Sequence, residues 1–143
     1  MFTQSIRSIM DSSKLILVQG TMTVRAAAEL MKQNRYGAVL ITEDDRLLGI
    51  FTERDAVFRV LAVGGDPDRT PLADVMTRSP KTIAPDKTFG HAMLLMHENG
   101  FRHVPVIDNG KLVGMVSSRN ALDPDLEEFV FEERRRKRLI ETR

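Results

Sequence analysis

The sequence predicts a mixed α+β / α/β domain in which two copies of one strand–helix–strand–strand–helix unit pack with pseudo-twofold symmetry into one module, followed by a C-terminal helix. An internal repeat carries this prediction, since residues 20–57 align without a gap with residues 85–122 at an offset of about 65. Hydrophobic periodicity within each copy indicates the elements. The chain of 143 residues can bury one core without a covalent staple, and it contains no Cys.

The two copies keep apolar, small and polar residues at matching positions. Each copy would expose an apolar helix stripe and an apolar sheet face if it stood alone, so two copies can bury each other's surfaces. The identical pairs are Thr23/Thr88, Ala27/Ala92, Leu30/Leu95, Met31/Met96, Asn34/Asn99, Val39/Val104, Leu47/Leu112, Gly49/Gly114, Arg54/Arg119 and Ala56/Ala121.

The first helix of each copy is predicted from apolar residues at i, i+3, i+4 and i+7. This stripe begins at Val24 in copy one and at Phe89 in copy two. Thr23 and Thr88 stand directly before the stripes, where an N-cap belongs. We interpret the Met and Leu residues of both stripes as core.

Two strands joined by a short polar turn follow each of these helices. The strands are predicted over residues 38–42 and 47–51 in copy one, and over residues 103–107 and 111–116 in copy two. Asn109-Gly110 between the second pair is typical of a type I′ hairpin turn.

Each copy then ends in a second helix. In copy one this helix is predicted over residues 55–63, and in copy two it begins at Asn120 and is cut short before Pro124. The predicted divisions are 1–64 for the first repeat, 65–122 for a linker with the second repeat, and 123–143 for a charged C-terminal helix.

The C-terminal segment has an acidic first half and a basic second half, a polarity that complements a helix macrodipole. Its basic run, residues 134–138, suggests nucleic acid, but the segment holds seven acidic and six basic side chains, so such binding is not expected. Leu126, Phe129 and Val130 form an apolar stripe that can pack on the module or on a partner copy.

Composition argues against several classes of function. A net charge of +1 gives no overall attraction to nucleic acid or to an anionic membrane. The apolar stretches fall far short of the roughly 18 residues of a membrane span, and the N-terminus lacks a secretory h-region, so a cytoplasmic protein is expected. No Cys can act as nucleophile, and His91, His97 and His103 show no metal-ligand spacing, so we predict no enzymatic activity.

The residues best suited to ligand chemistry follow the last strand of copy one. Thr52, Arg54 and Asp55 begin a helix, where unpaired N–H groups favour a phosphate. Thr52 adds a hydroxyl, Arg54 a permanent cation, and Asp55 a carboxylate that can accept from both ribose hydroxyls. The same spacing also fits a capping box, in which Thr52 and Asp55 bond only the backbone of their own helix.

Copy two carries Ser117, Arg119 and Asn120 at the matching positions. A short [ST]-x-x-[DE] match has a high false-positive risk alone. Its recurrence after a Gly, a strand and a matching hairpin favours the nucleotide interpretation.

The repeat, the junction from Gly49 to Asp55, the segment Val75-Met76-Thr77 and the strand from Arg102 to Asp108 resemble a tandem pair of cystathionine-β-synthase (CBS) domains. The resemblance runs from about residue 8 to about residue 122. It implies a βαββα unit in each half, two clefts between the halves, and an adenosine ligand such as AMP, ADP, ATP or S-adenosylmethionine. It implies no catalytic cofactor.

The resemblance carries phosphate and ribose contacts onto Thr52 and Asp55. Copy two has Ser117 and Asn120 there, and the neutral amide of Asn120 cannot grip two hydroxyls as a carboxylate does. We therefore expect the cleft with Asp55 to be the better ribose site, with Arg54 and its counterpart Arg119 as cations.

The resemblance also implies that Arg102 and His103 contact phosphates, whereas copy one has Gly37 and Ala38 at those positions. The alternative is that Arg102 lies on the surface and His103 makes local hydrogen bonds.

The adenine is expected on apolar and backbone groups at one position in each cleft. These positions are Thr82 with Ile83 for one cleft and Val18 with Gly20 for the other. Tyr36 or Phe101 would lie nearby, either beside the adenine or as aromatics at the edge of the core.

The leading hypothesis is a free-standing regulatory, energy-sensing protein that binds an adenine nucleotide, forms a homodimer and signals to an unidentified protein partner. The alternative is a ligand-free interaction scaffold that uses the repeats and the C-terminal helix.

Overall fold

The structure, a computed structural model, describes residues 2–121 and 123–141, with side chains described at 2–120 and 129–141. Its elements are α1 (Ile6–Ile9), β1 (Leu17–Val18), α2 (Val24–Asn34), β2 (Ala38–Glu43), β3 (Arg46–Thr52), α3 (Glu53–Asp55), a π-helical stretch (Ala56–Leu61), α4 (Leu72–Val75), β4 (Thr77–Arg78), α5 (Phe89–Asn99), β5 (His103–Asp108), β6 (Lys111–Ser117), a 3₁₀ turn (Ser118–Ala121) and α6 (Asp123–Glu141). The predicted C-terminal segment includes residues 142 and 143, which lie outside the described residues.

Each half of the molecule is built on one sheet. The first sheet has the strand order β1-β2-β3-β4, with β1 parallel to β2 and the other neighbours antiparallel. In the second half β5 and β6 form a hairpin, and a parallel bridge between Ile83 and Val106 stands where Val18 pairs with Ile41 in the first. The predicted mixed fold of two related halves with a C-terminal helix is confirmed.

Local chemistry explains where the predicted elements begin and turn. The Oγ1 atom of Thr23 accepts from the N–H of Ala26 at 3.2 Å, and Thr88 caps α5 in the same way. Asn109 and Gly110 adopt φ angles of 50° and 81°, as a type I′ turn requires.

The second helix of each repeat differs between the halves. In the first half it starts at Glu53 in α3 and continues as the π-helical stretch through Leu61. In the second half only the 3₁₀ turn forms before α6 begins at Asp123, because the Pro at position 124 cannot continue a helix from the preceding turn. The shortening predicted at this point is thus present in the structure.

The short segment that opens each repeat pairs with the other repeat. β4 follows α4 and pairs with β3 of the first half, although it lies directly before the second repeat in sequence. The corresponding residue Asp11, after α1, bridges Met115 on β6 of the second half. The halves are therefore tied by an exchange of opening segments, and strand pairing crosses the predicted division at residue 65.

The two repeated glycines allow this exchange. A Cβ at Gly49 would stand 2.6 Å from the Sδ atom of Met76, and a Cβ at Gly114 would stand 2.6 Å from that of Met10. Both distances are too short for a real Cβ contact. Each opening segment therefore packs directly against the backbone of a strand, and a side chain in place of the glycine would block this contact.

The hydrophobic core has three parts. One fills the first half beneath α2 and one fills the second half beneath α5, with Phe51 and Phe89 fully buried in them. The third part lies on the seam between the halves and is formed by Ala38, Leu40, Ile50 and Met115. Because residues of both repeats share this seam, the site described next has walls from both.

Candidate functional site

A cleft of about 440 Å³ opens at the seam, where β3 ends and β5 begins. We call it the seam cleft. The first half contributes the start of α3 and the π-helical stretch, and the second half contributes the end of α5 and the start of β5. Its lining includes Gly37, Thr52, Glu53, Arg54 and Phe58 from the first half, with Gly100, Phe101, Arg102 and His103 from the second.

A smaller cavity of about 250 Å³, here called the side pocket, adjoins the seam cleft. Thr52, Phe101 and His103 line both cavities. The rest of the side pocket is formed by Ile50, Thr77 and residues 79–81. The seam cleft is thus open and lined by charged residues, whereas the side pocket is more apolar.

Thr52 and Asp55 form a complete capping box at the start of α3. The N–H of Asp55 donates to Thr52 Oγ1 at 3.3 Å, while the N–H and the hydroxyl of Thr52 donate to Asp55 Oδ2 at 2.9 and 3.2 Å. The other carboxylate oxygen of Asp55 lies 3.5 Å from Nε of Arg59. The capping alternative is therefore present in the structure, and the ribose role of Asp55 stays a prediction.

Thr52 faces both cavities, but Asp55 lies behind it and is not part of either described lining. The Asp55 side chain is 13% exposed. A carboxylate can accept about four hydrogen bonds. Asp55 accepts two from Thr52, so it retains capacity for a ligand hydroxyl that reaches past the threonine.

Two arginines bring positive charge to the seam cleft. Arg54 donates from Nη1 to the carbonyl oxygen of Gly100 at 2.7 Å and stacks over the ring of Phe58 at 5.4 Å, so it links the two halves. The Arg102 side chain is exposed and, within the described part of the chain, its guanidinium makes no hydrogen bond or ion pair. Arg102 can therefore bind an anion without giving up an existing partner.

His103 is half-buried and packs edge-on against Tyr36, with ring centroids 6.0 Å apart. Burial lowers the pKa of His103 below its ordinary value, and the nearby charges of Arg119 and Arg102 lower it further, although Glu53 and Asp11 oppose them. The ring is therefore neutral near pH 7 and acts as a hydrogen-bonding group there.

Glu53 is an acidic member of the lining that the sequence analysis did not single out. Its N–H donates to the carbonyl oxygen of Gly37 at 3.0 Å, and a Cβ at Gly37 would overlap its carboxylate. In the second repeat Ser118 makes the same backbone bond to Arg102 at 3.1 Å. Gly37 therefore leaves room for a carboxylate in a cleft whose opposite wall carries Arg102.

The matching pair of the second repeat, Ser117 and Asn120, is buried. Its cap repeats the first one, with the N–H and hydroxyl of Ser117 donating to Asn120 Oδ1 at 2.6 and 3.2 Å. Tyr36 donates its hydroxyl to Asp11 Oδ2 at 3.1 Å. Burial raises the pKa of Tyr36, and the charge of Asp11 raises it further, so the phenol remains a donor.

The remaining predicted residues lie away from the seam cleft. Ala38 is fully buried in the seam core. Arg119 is exposed in the 3₁₀ turn that also contains Asn120. Val18 and Ile83 are buried at the positions that pair with Ile41 and Val106. Thr82, which precedes Ile83 in the chain, is exposed. Gly20 lines a separate cavity, which also contains Glu43, Asp44 and Asp45.

Several lining residues were missed by the sequence analysis. Residues 79–81 form the side-pocket wall, whereas the expected adenine position was Thr82 and Ile83. The adenine contacts of Thr82 and Ile83 stay a prediction. Pro80 was the available signal for residues 79–81, because a proline and the residue before it favour extended backbone. The place of Phe58 in the lining could not be predicted, since in the sequence it is one more apolar residue of a predicted helix.

The chain matches the family model described as CBS domain over residues 6–62 and again over residues 72–125. It belongs to the CBS-domain family as a tandem pair. Among curated proteins, it is 32% identical over 119 residues to an uncharacterised protein of Methanopyrus kandleri and 34% identical over 120 residues to the CBS domain-containing protein CBSCBSPB3 of Arabidopsis thaliana. These matches cover 80% and 83% of this chain, but only 61% and 21% of the two relatives.

Solved structures show the same architecture. An uncharacterised conserved protein from Pyrococcus horikoshii superposes with a TM-score of 0.81 at 27% identity, covering 87% of this chain and 94% of that one. The CBS domain pair of protein MJ0100, solved in complex with 5′-methylthioadenosine and S-adenosyl-L-methionine, gives a TM-score of 0.76 at 21% identity, covering 88% and 98%. At that identity the second likeness shows the fold alone.

Within residues 2–121 and 123–141 no helix is both long and apolar enough to cross a membrane. The same residues contain no group of three or more His, Asp or Glu side chains placed to hold a metal ion.

Proposed function

We propose that this protein is a regulatory CBS pair that binds one adenosine-containing ligand across the seam cleft and the side pocket. The observation that carries the proposal is the junction of these cavities at Thr52, with Arg102 uncommitted at the rim of the larger one. The adenosine compounds bound by the MJ0100 pair support the ligand class.

The two cavities suit different parts of such a ligand. The side pocket offers the apolar side chains of Ile50 and Pro80 with backbone groups of residues 79–81, a surface on which an adenine can lie. The ribose would then stand at Thr52, within reach of the remaining lone pairs of Asp55. A phosphate or carboxylate tail would extend into the seam cleft toward Arg102 and Arg54.

Glu53 restricts the tail that fits. A long polyphosphate would bring several negative charges beside this carboxylate, and like charges repel strongly where water is partly excluded. A short tail, as in AMP, or a tail with its own cation, as in S-adenosylmethionine, avoids that repulsion. We therefore place AMP and S-adenosylmethionine ahead of metal-free ATP.

Arg54 provides a route from ligand to conformation. It now bonds the carbonyl oxygen of Gly100, at the end of α5 in the other half. An anion in the seam cleft competes for the same guanidinium, so the ligand would replace a link between the halves. A ligand shifts an equilibrium only through its different affinities for two states, and this exchange of partners supplies that difference.

The test is calorimetric titration of AMP, ADP, ATP and S-adenosylmethionine into the wild type and two variants. Asp55→Asn is the sharper variant, because Asn120 shows that an amide keeps both cap hydrogen bonds. We expect Asp55→Asn and Arg102→Ala each to weaken binding by roughly ten- to hundredfold, the range for losing a charged hydrogen bond. Arg46→Ala, an exposed arginine at the opposite end of β3 from Thr52, is the control and should bind normally.

Two results would contradict the proposal. One is that none of the four compounds binds the wild type. The other is that Asp55→Asn and Arg102→Ala both bind as tightly as the wild type, since the ligand would then occupy another place.

A second candidate function is a ligand-free interaction scaffold, favoured by an apolar patch beyond the cleft. Leu61 and Val63 are 75% and 70% exposed. This candidate predicts that Leu61→Asp abolishes self-association or partner binding while nucleotides have no effect. A homodimer, a regulated protein partner and a cytoplasmic location stay predictions.

A further inference from the structure

The C-terminal helix α6 presents apolar side chains to solvent near both ends of its described part. Phe129 and Phe131 are 59% and 69% exposed, and Leu139 and Ile140 are 57% and 74% exposed. Between them lies a run of charged residues. Exposed apolar groups that share one face of a helix mark a surface that a partner covers.

Two of these apolar residues, Phe129 and Ile140, share one face of the helix with Glu133 and Arg136, whereas Phe131 and Leu139 point to other sides. Phe129, Glu133, Arg136 and Ile140 follow one another at i, i+4, i+7 and i+11, which keeps them in line on a helix of 3.6 residues per turn. Glu133 and Arg136 form an ion pair of 3.5 Å within this face. The face therefore reads apolar, acidic, basic, apolar along its length.

That order is self-complementary when the helix direction is reversed. A twofold axis through the midpoint between residues 134 and 135 sets Phe129 against Ile140 of a second copy and Glu133 against Arg136 of that copy. Isologous pairing of this kind requires that one surface match itself after rotation. We propose that α6 pairs antiparallel with α6 of a second copy through this face.

The remaining charges agree with the same arrangement. Arg134 and Arg135 lie next to the axis in sequence, but successive residues rotate by about 100°, so both point away from the paired face. They line a shallow groove with Phe131 on the other side of the helix. The antiparallel direction also sets the acidic half of each helix beside the basic half of its partner, which favours association electrostatically.

The contact is small, so the pairing is weak by itself. The face spans residues 129–140, about 16 Å of helix at about 1.5 Å per residue. Interfaces of limited area are typical of transient association. Exchange between monomer and dimer should therefore depend on protein concentration.

Cross-linking of the full chain tests the direction and register, because the protein has no Cys of its own. Phe129→Cys and Ile140→Cys are prepared as separate single variants at exposed positions. Under mild oxidation each alone should stay largely uncross-linked, since antiparallel pairing separates identical positions by about 16 Å. An equimolar mixture should form a disulfide-linked heterodimer.

Other outcomes overturn the proposal. Cross-linking of either variant with itself would indicate parallel helices or another register. Absence of any cross-link in the mixture at high concentration would indicate that α6 packs elsewhere, on its own module or on another molecule.

A charge exchange provides an independent readout. Glu133→Arg gives an all-basic face and Arg136→Glu an all-acidic one, so each should raise the dissociation constant roughly three- to tenfold in sedimentation equilibrium, as expected for exposed ion pairs. Mixing the two variants restores both cross-helix pairs and should recover wild-type association or better. If mixing restores nothing, the effect of each substitution is confined to its own helix and the pairing is wrong.

Discussion

The pair of Thr52 and Asp55 shows how one residue pattern can serve two purposes. Its three hydrogen bonds satisfy the start of α3, and Thr52 still faces both cavities. The pair Ser117 and Asn120 makes corresponding bonds but is buried. Capping is therefore common to both repeats, and the first pair differs because its threonine lines two cavities.

The neutral state of His103 predicts a dependence of stability on pH. Because burial depresses the pKa of the folded state, the unfolded chain binds more protons as pH falls below about 6.5. The contribution of His103 is thus present above that pH and is lost as pH falls toward the folded pKa. We expect the melting temperature to drop between pH 7 and pH 5, and His103→Gln to reduce that drop, as measured by circular dichroism.

His97→Gln, an exposed position on α5, is the matched control and should melt with the pH dependence of the wild type. A His103→Gln protein whose melting temperature falls with pH as steeply as the wild type would show that other groups cause the effect.

The close approach at Gly49 predicts a large effect from one methyl group. In Gly49→Ala the new Cβ meets the Sδ atom of Met76 and the carbonyl oxygen of Thr77, at 2.6 and 2.8 Å before relaxation. Overpacking of this kind costs roughly 1–3 kcal/mol. Urea denaturation should show this loss, while Arg46→Ala, exposed on the same strand, changes the unfolding free energy little. Equal stability of Gly49→Ala and wild type would mean that β4 can move away freely.

Among the elements, the opening segments join the halves directly, because each one pairs with a strand of the other half. α1 is only four residues long, yet its Ile6 is fully buried in the core of the second half, and its backbone bonds Pro85 and Lys87. A four-residue helix has no stability of its own. The position of α1 is therefore determined by its packing on the core of the second half.

Removal of this one apolar side chain tests the exchange of segments. Ile6→Ala should cost roughly 2–5 kcal/mol, as for other large-to-small changes in a packed core. The measurement is urea denaturation, with the exposed Ser12→Ala as the control. If Ile6→Ala unfolds at the same urea concentration as the wild type, the N-terminal segment does not complete the second core.

In the whole molecule, twofold sequence symmetry leaves two related junctions with different surroundings. The first junction lies on the seam cleft, whereas at the second Ser117 and Asn120 are buried. Tyr36 donates its hydroxyl to Asp11, and its counterpart Phe101 has no hydroxyl. The proposed difference in ligand binding between the repeats therefore depends on few residues.

This asymmetry predicts the binding stoichiometry. The wild type should bind about one adenosine ligand per chain in calorimetric titration, because Asp55 of the first junction is a carboxylate, whereas Asn120 of the second is a buried and neutral amide. The fitted number of sites gives the answer directly. Two equivalent sites per chain would contradict this difference between the junctions.

Much of the fold could be predicted from local pattern. The stripe from Val24, the N-caps at Thr23 and Thr88 and the turn at Asn109 depend on neighbours within a few residues, so periodicity and residue type suffice to predict them. The π-helical stretch and the 3₁₀ turn were not distinguished, because helix types differ by small shifts in hydrogen bonding that residue preferences do not separate.

The candidate site was predictable only in part. Thr52, Arg54, Arg102 and His103 line the seam cleft. The repeated junction had drawn attention to Thr52 and Arg54, and the family resemblance to Arg102 and His103. Glu53 and residues 79–81 were missed, since what brings them to the cavities is the packing of one half on the other.

The order of residues alone thus determines that there are two copies of one unit, what each copy forms, and which junction carries the carboxylate. The tertiary structure decides which half each opening segment completes and which residues of the two halves meet in the seam cleft. The physical reason is the distance along the chain between interacting residues. Helix stripes, caps and turns depend on neighbours within a few residues. The seam joins positions such as Asp11 and Met115, about a hundred residues apart in the chain, whose pairing depends on the assembled shape of both halves.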